Sequence, residues 1–359
     1  MIKSQFIEEI LPVEIVYHPS WWFKNTGITF DEDFFFNPLK RVESEQLMEK
    51  HLYERFGRYG LGMNHKTKRP EVGAVHNAAG FMLSEMLGCK VEYAEDSPPT
   101  VIPLNRKDLI LDRNAVCNSL VFKKFQKMCD ALKEKYGYLS GDVNWGGILN
   151  LAMDVKGNEL LTDFFIQPGN LKSYFSGLAS IIEFFVKGIQ KETGTSSISV
   201  NRTVGKFKKP VFLHSECTHT MIANEQYEEF ILPVDIEWSK KHRPFGIHYC
   251  GPDPHRYADL FRKIPHLDFL DVGWGGDIST LREALPDTFL NIRLDPVSIN
   301  NKSNEEIDGI IRKLVAESNN LFLTGVCCIN MDDQVRDDRV ETILKTVHEI
   351  KKEYLGKQE

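Results

Sequence analysis

A histidine and a cysteine separated by one residue carry the sharpest chemical signal in this sequence. They are His248 and Cys250, at the end of the apolar segment PFGIHYC (244–250). In an extended strand, residues two apart project to the same face, so the imidazole and the thiol point into one site. Zinc takes thiolate and imidazole ligands, and a catalytic zinc keeps three protein ligands so that a fourth position stays open. His248 and Cys250 are therefore candidate ligands of a zinc site.

A third ligand is available in the Cys327-Cys328 pair at the end of NLFLTGVC (320–327). Adjacent residues of a strand point to opposite faces, so only one of these two thiols can join the site, and spacing alone does not choose between them. Zinc holds a bound thiol as a thiolate at neutral pH, which suits activation of a substrate thiol. Free cysteine is also a common small buried residue, so an interpretation in which these thiols only pack stays open.

Other groups able to ligate, titrate or stack follow most of the predicted strands. In a (β/α)8 barrel the functional residues come from the carboxyl ends of the strands, so this concentration indicates an enzyme. We assign Glu216 and His214 as catalytic candidates, each as a fourth ligand, an orienting group or a proton carrier. Asp142 is the third catalytic candidate, placed to bind the polar end of the substrate. Three others are assigned to substrate binding: Asn144, Trp274 and Arg293.

Short apolar runs alternate with segments of helical period from residue 138 onward. The predicted strands are YLSGDV (138–143), KPVFLHS (209–215), PFGIHYC (244–250), LDFLDVG (267–273), FLNIRLD (289–295) and NLFLTGVC (320–327). This alternation predicts a parallel sheet with crossover helices. VEIVYHP (13–19), with KVEY (90–93) or TVIPL (100–104), brings the strand count to eight. We therefore predict the α/β class, as a single (β/α)8 TIM barrel over residues 81–359, with strand 1 possible at 13–19. An aromatic-rich N-terminal elaboration over 1–80 packs on it.

Composition excludes several functional classes. The 359 residues carry a net charge of −7, whereas nucleic-acid binding needs a concentrated basic face. The most apolar stretch, LASIIEFFV (178–186), is too short to cross a membrane and contains a glutamate. Seven cysteines in a chain without a secretory leader indicate reduced thiols. We expect a cytoplasmic protein that binds neither nucleic acid nor membrane.

Several longer segments resemble the uroporphyrinogen decarboxylase superfamily. They are EMLGCKVEYAEDSPP (85–99), GDVNWGGILNLAMDVKGNELLTDFFIQPGNL (141–171), MIANEQYEEFILPV (221–234), GIHYCG (246–251) and TGVCCINMDD (324–333). The resemblance covers most of the chain from about residue 80. Ala223 and Asn224 replace the Ser-Pro that is usual in the family's version of the third segment.

The resemblance implies the cobamide-dependent methyltransferases of the methylcobamide:coenzyme M type. In that branch zinc is bound by a His-x-Cys pair and a distant cysteine, which match His248, Cys250 and Cys327. The branch thus selects the first cysteine of the Cys327-Cys328 pair. It also implies a methyl transfer between a small methylated substrate, or a thiol or folate acceptor, and a methylcobamide. We expect this corrinoid on a separate partner protein, because the sequence lacks an Asp-x-His-x-x-Gly cobalamin signature.

Two other functions remain open at this point. A metal-free decarboxylase of uroporphyrinogen or another polycarboxylate would need a cationic pocket, and Arg293 is the arginine at a clear strand end. The Arg-rich N-terminal segment of that branch has no equivalent, since RFGRYGLG (55–62) differs in pattern and position. A non-catalytic binding barrel is the third hypothesis, and the ionisable groups at the strand ends count against it.

Overall fold

A six-stranded parallel sheet forms the centre of the fold. The computed structural model describes residues 3–64, 68–72, 80–194 and 202–356. Six strands pair in the order β1-β10-β9-β8-β7-β6, and the sheet curls into half of a barrel. The strands of the described residues are β1 (Val13–Tyr17), β2 (Glu71–Val72), β3 (Lys90–Glu92), β4 (Thr100–Ile102), β5 (Ser140–Gly141), β6 (Phe212–Glu216), β7 (Phe245–Tyr249), β8 (Phe269–Val272), β9 (Phe289–Arg293) and β10 (Thr324–Met331).

Helices connect these strands. They are α1 (Pro19–Thr26), α2 (Glu32–Phe36), α3 (Pro38–Phe56), α4 (Met82–Met86), α5 (Arg113–Cys117), α6 (Leu120–Tyr136), α7 (Ile148–Lys156), α8 (Glu159–Ile166), α9 (Pro168–Thr193), α10 (Asn224–Gln226), α11 (Leu232–Lys241), α12 (Ala258–Phe261), α13 (Ile278–Ala284), α14 (Pro296–Asn301), α15 (Asn304–Ser318) and α16 (Asp337–Gly356). Helix α15 begins at a capping box in which Ser303 and Glu306 satisfy each other's backbone N–H. Helix α9 ends at Thr193 and is capped by Gly194, whose φ of 67° suits glycine. No helix of the described ranges is long and apolar enough to cross a membrane.

The arrangement of the strands differs from the prediction in two respects. All six segments predicted from residue 138 onward contain strands, and segment 13–19 contains β1, which pairs with β10. The segments at 90–93 and 100–104 instead form an antiparallel hairpin, β3 with β4. Their residues are exposed or half-buried, whereas a barrel strand is buried on both faces. Strands β2 and β5 make a separate parallel pair, so the ladders of the described residues give a half-barrel sheet and two two-stranded sheets.

The two faces of the sheet have different partners. The face named here the inner face carries Leu213, Phe269 and Phe289, which pack together at the amino-terminal side of the strands. Further along the same face, Asp271 and Arg293 form an ion pair between β8 and β9. The opposite, outer face is covered by helices. The polar groups of the inner face therefore lie toward the carboxyl ends of the strands, above an apolar layer.

An aromatic cluster attaches the N-terminal helices to β1. Tyr17, at the end of that strand, stacks on Trp21 of α1 with ring centroids 3.8 Å apart. Trp22 meets the same tyrosine edge-on, and Phe56 at the end of α3 stacks beside it. These residues are buried. The aromatic residues of the N-terminal region thus pack beside the edge strand of the central sheet.

Candidate metal centre

The carboxyl ends of β6 and β7 lie side by side. Their parallel ladder pairs Glu216 with Tyr249, the last residue of each strand. The next residues along each chain, Cys217 and Cys250, therefore leave the sheet at the same level. Because side chains alternate along a strand, Cys250 shares a face with His248, two residues before it.

Three possible metal ligands come together at this point. One ligand atom from each of Cys217, His248 and Cys250 lies within 4.8 Å of the other two. His248 is buried, Cys250 is half-buried and Cys217 is exposed. The group therefore extends from the interior of the half-barrel to its surface.

Asp271 on β8 fixes the orientation of the His248 imidazole. Its carboxylate contacts Nδ1 of His248 and also pairs with the guanidinium of Arg293. A hydrogen bond from Nδ1–H to a carboxylate leaves Nε2 as the ligand atom, the arrangement common to metal-binding histidines. Arg293 also places Nη1 at 3.1 Å from Sγ of Cys250. These four residues form one buried polar network on the inner face.

Contacts within this network shift the pKa values of His248 and of the two thiols beside it. Burial lowers the pKa of His248, but the Asp271 carboxylate outweighs it and raises the pKa to about 9. A hydrogen bond from the Cys217 thiol is the largest influence on Cys250. Together with His248 and Arg293 it overcomes burial and holds the pKa of the Cys250 thiol well below its usual range. The same hydrogen bond and burial raise the pKa of the Cys217 thiol. These contacts favour the thiolate form of Cys250 over that of Cys217.

Cys327 lies deeper in the fold than these three residues. It is the fourth residue of the eight-residue strand β10 and is fully buried. Its thiol makes a hydrogen bond with Glu14 of β1, and Arg293 is among its charged neighbours. It is not a member of the three-ligand group. Its assignment as a zinc ligand stays a prediction.

Trp274 and Arg293 are neighbours, as their common assignment to substrate binding requires. The Trp274 ring centroid is 6.0 Å from the Arg293 guanidinium carbon. Trp274 is half-buried, whereas the Arg293 side chain is fully buried and engaged with Asp271. Of this pair, only Trp274 is accessible to a ligand in the structure. The substrate-binding roles themselves stay predictions.

His214 and Glu216 lie on the outer face of β6. Glu216 accepts hydrogen bonds from the backbone N–H groups of Leu149 at 2.7 Å and Asn150 at 3.1 Å, in the first turn of α7. Gly147 precedes this helix and has no side chain to cap it, so the carboxylate supplies the cap. The contacts of both residues are on the helix side of the sheet, away from Cys250. Their catalytic roles stay predictions.

A second cluster of possible ligands surrounds His214. It consists of His214, Asp235 of α11 and His219, all buried. Nδ1 of His214 lies 2.7 Å from Asp235, whose other carboxylate oxygen accepts from the Tyr227 hydroxyl at 2.6 Å. Asp235 is therefore already engaged by two partners. We interpret this cluster as a hydrogen-bonded core that fixes α11 to the sheet.

Asp142 and Asn144 follow β5, in the two-stranded sheet. Both are half-buried. The side-chain oxygen of Asn144 accepts the backbone N–H of Gly146 at 2.9 Å and so shapes the turn before α7. Neither residue belongs to the three-ligand group. Their roles in catalysis and substrate binding stay predictions.

The donor set of the centre fits zinc. Two thiols and an imidazole are ligands that zinc prefers, and three protein ligands are typical of catalytic zinc. Asp271 supplies the carboxylate that commonly supports a ligating histidine. Metal binding would displace the protons that this network retains, so zinc affinity at this centre should rise with pH.

Solved structures share this fold. A methyltransferase from Methanosarcina mazei matches with a TM-score of 0.66 at 11% identity, covering 96% of this chain and 95% of that one. A B12-independent methionine synthase from Shewanella sp. W3-18-1, in complex with selenomethionine, matches with a TM-score of 0.53 at 11% identity. It covers 97% of this chain and 100% of its own. No protein-family model matches the chain, and no curated protein sequence matches it. At this identity the similarity shows a common fold.

Two members of the centre, Cys217 and Asp271, were not among the site residues predicted from the sequence. Asp271 lies within the predicted strand 267–273, and Cys217 follows the predicted strand 209–215. Alternation along each strand could have placed Cys217 near Cys250. Ser215 and Cys217 share one face of β6, and His248 and Cys250 share one face of β7. These are the same face of the sheet only because Ser215 pairs with His248, and that register is known from the structure and not from the sequence.

Proposed function

We propose that this protein is a zinc-dependent methyltransferase that moves a methyl group between a small methylated substrate, or a thiol or folate acceptor, and the cobalt of a separate corrinoid protein. The observation that carries the proposal is the convergence of His248 and Cys250 with a further thiol, and with Asp271 behind the imidazole. The methyltransferase from Methanosarcina mazei, which shares the fold, supports the type of reaction.

The proposal includes a complete (β/α)8 barrel of the uroporphyrinogen decarboxylase type. Strands β2 and β5 are parallel to each other and lie in the chain between β1 and β6, the two edges of the six-stranded sheet. Inserting the pair between those edges closes a ring of eight strands. Such a ring places the metal centre at the carboxyl end of the barrel, where catalytic residues of this architecture lie.

Each residue of the centre has a defined part in this function. His248 and Cys250 would hold the ion, and Asp271 orients the His248 imidazole through its contact with Nδ1. Zinc supplies Lewis acidity, which lowers the pKa of a bound thiol or polarises a methylated heteroatom. Arg293 keeps the Asp271 carboxylate in place and adds positive charge beside Cys250. Trp274 supplies a half-buried aromatic surface next to the centre.

The alternative decarboxylase is less well supported. A polycarboxylate substrate needs cationic groups that are accessible to it. The guanidinium of Arg293 is fully buried and paired with Asp271, so its charge is already balanced inside the protein. The geometry therefore favours the metal-dependent reaction.

Metal analysis tests the proposal. Protein purified without chelator should contain about one zinc per chain, and His248→Ala and Cys250→Ser should lose it. Cys117→Ser is the matched control, because Cys117 is a half-buried thiol of α5 outside the centre. The zinc-loaded protein should also transfer methyl groups between methylcobalamin and a thiol. A folded, active protein that binds no zinc would contradict the proposal.

A further inference from the structure

Two cysteines compete for the third ligand position beside His248 and Cys250. The family resemblance points to Cys327 on β10. The structure provides a second candidate, Cys217, directly after β6. The two candidates approach the centre from opposite sides, and the surroundings of each thiol decide between them.

Cys217 is brought to the centre by its neighbouring strand. The register of β6 and β7 pairs Glu216 with Tyr249, so Cys217 and Cys250 follow their strands at the same level. Adjacent strands are about 4.8 Å apart, which is within the reach of two thiols that bind one ion. The thiol of Cys217 accordingly lies within 4.8 Å of the ligand atoms of both His248 and Cys250.

The backbone at Cys217 is held in position by α7. The side-chain oxygen of Asn150 accepts the N–H groups of Cys217 at 3.1 Å and Thr218 at 3.0 Å. Its Nδ2 donates to the carbonyl of Ser215 at 3.1 Å. The Asn150 side chain thus hydrogen-bonds the backbone of three residues at the end of β6. Such support keeps a ligand in place before an ion arrives.

Cys327 has different surroundings. Strands β8 and β9 separate β10 from β7 in the sheet. The Arg293 side chain projects from β9 and contacts Cys250, which puts a guanidinium on the Cys327 side of the centre. The Cys327 thiol is engaged with Glu14 and packs with Val16 and Ile329. To bind an ion held by Cys250, Cys327 would need Arg293 to move and would have to leave Glu14.

We propose that Cys217, and not Cys327, is the third protein ligand of the metal centre. This inference rests on the proposed function, because it assigns a ligand to the same zinc. The ligand set is then Cys217, His248 and Cys250, all from the adjacent strands β6 and β7. Cys217 is the most exposed residue of this set, and His248 is the most buried. Cys327 is a fully buried thiol that pairs with Arg293 in the β9–β10 ladder.

Metal binding by serine variants is the first test. Wild type, Cys217→Ser, Cys327→Ser and Cys328→Ser are stripped with chelator, dialysed and titrated with zinc, and their folding is compared by circular dichroism. Wild type should bind about one zinc, and Cys217→Ser should lower the affinity by more than about 100-fold. Cys327→Ser and Cys328→Ser should bind like wild type. Loss of zinc in Cys327→Ser with full binding in Cys217→Ser overturns the inference and leaves the proposed function standing. A wild type that binds no zinc removes the function as well.

Thiol protection in the wild-type protein is the second test, and it does not depend on any variant folding. The metal-free and zinc-loaded proteins are treated with iodoacetamide, and each cysteine is quantified by mass spectrometry. Zinc should slow alkylation of Cys217 at least tenfold. Cys117, a half-buried residue of α5 outside the three-ligand group, is the internal control and should react equally in both forms. Equal alkylation of Cys217 with and without bound zinc overturns the inference.

Discussion

Replacing Glu216 with glutamine distinguishes an anchoring role for this residue from a catalytic one. Its carboxylate is fully buried and accepts three backbone N–H groups, from Leu149, Asn150 and Thr218. The last two share Oε1, while Leu149 bonds to Oε2. A glutamine in the same position keeps one oxygen and turns an NH₂ group toward donors that it cannot satisfy. The substitution also removes a negative charge from the amino terminus of α7.

The expected cost follows from these contacts. A buried donor left without its acceptor costs about 1–3 kcal/mol, and a charge at a helix terminus adds up to about 2 kcal/mol. We expect a loss of about 4 kcal/mol in the free energy of unfolding. An unfolding entropy of about 2.1 cal/mol/K per residue over 359 residues converts this to a fall in Tm of about 5 °C.

Thermal and urea unfolding monitored by circular dichroism measure this loss. Glu159→Gln is the matched control, since Glu159 occupies the first turn of α8 but is exposed, and its substitution should change stability by less than about 0.5 kcal/mol. Folded Glu216→Gln should bind zinc as wild type does. A variant with unchanged Tm that had lost zinc or turnover would refute the anchoring role and restore Glu216 as a ligand or catalyst.

Three further predictions concern other positions. Asp271→Asn should weaken zinc binding by about 10–100-fold in a chelator competition assay, because His248 loses its orienting carboxylate; unchanged affinity would contradict this. Gly147→Ala should destabilise the protein by about 1–3 kcal/mol in urea unfolding, because the new Cβ would lie 2.4 Å from the carbonyl oxygen of Ser215; wild-type stability would show that this approach is not tight. Burial raises the pKa of Asp154 to about 6. The folded protein therefore binds this proton more tightly than the unfolded chain does, and the contribution of Asp154 to the free energy of unfolding should fall as the pH rises from about 4 to 6. In Asp154→Asn this fall in the free energy of unfolding should be absent, and the variant should be more stable than wild type at pH 8. If the free energies of unfolding of the variant and wild type changed with pH in the same way, the prediction would be wrong.

The sequence predicted the strands better than it predicted their arrangement. Runs such as FLNIRLD are short, apolar and bounded by polar residues, so their identity as strands depends on local pattern alone, and β9 formed as expected. Segments 90–93 and 100–104 have similar local composition but pair with each other in an exposed hairpin. Whether a strand joins the central sheet depends on partners distant in sequence, which local pattern does not contain.

The sequence also predicted only part of the metal centre. His248 and Cys250 share a face by alternation within one strand, so their proximity followed from spacing. Both faces of β6 are buried, so hydrophobic pattern could not show which face carries His214 and Glu216 and which leads to Cys217. That distinction depends on the register with β7 and on contacts from α7.

The β1–β10 ladder and the metal centre differ in how much chain each must bring together. The ladder pairs Val13 with Val326, a separation of 313 positions, whereas Cys217 and Cys250 are 33 positions apart. Loop-closure entropy makes the longer connection costlier by about 2 kcal/mol. Every residue from Cys217 to Cys250 also leaves the ribosome before β10 is synthesised. The segment from β6 to β7 can therefore bring Cys217, His248 and Cys250 together while the sheet is still open, before the two ends of the chain meet.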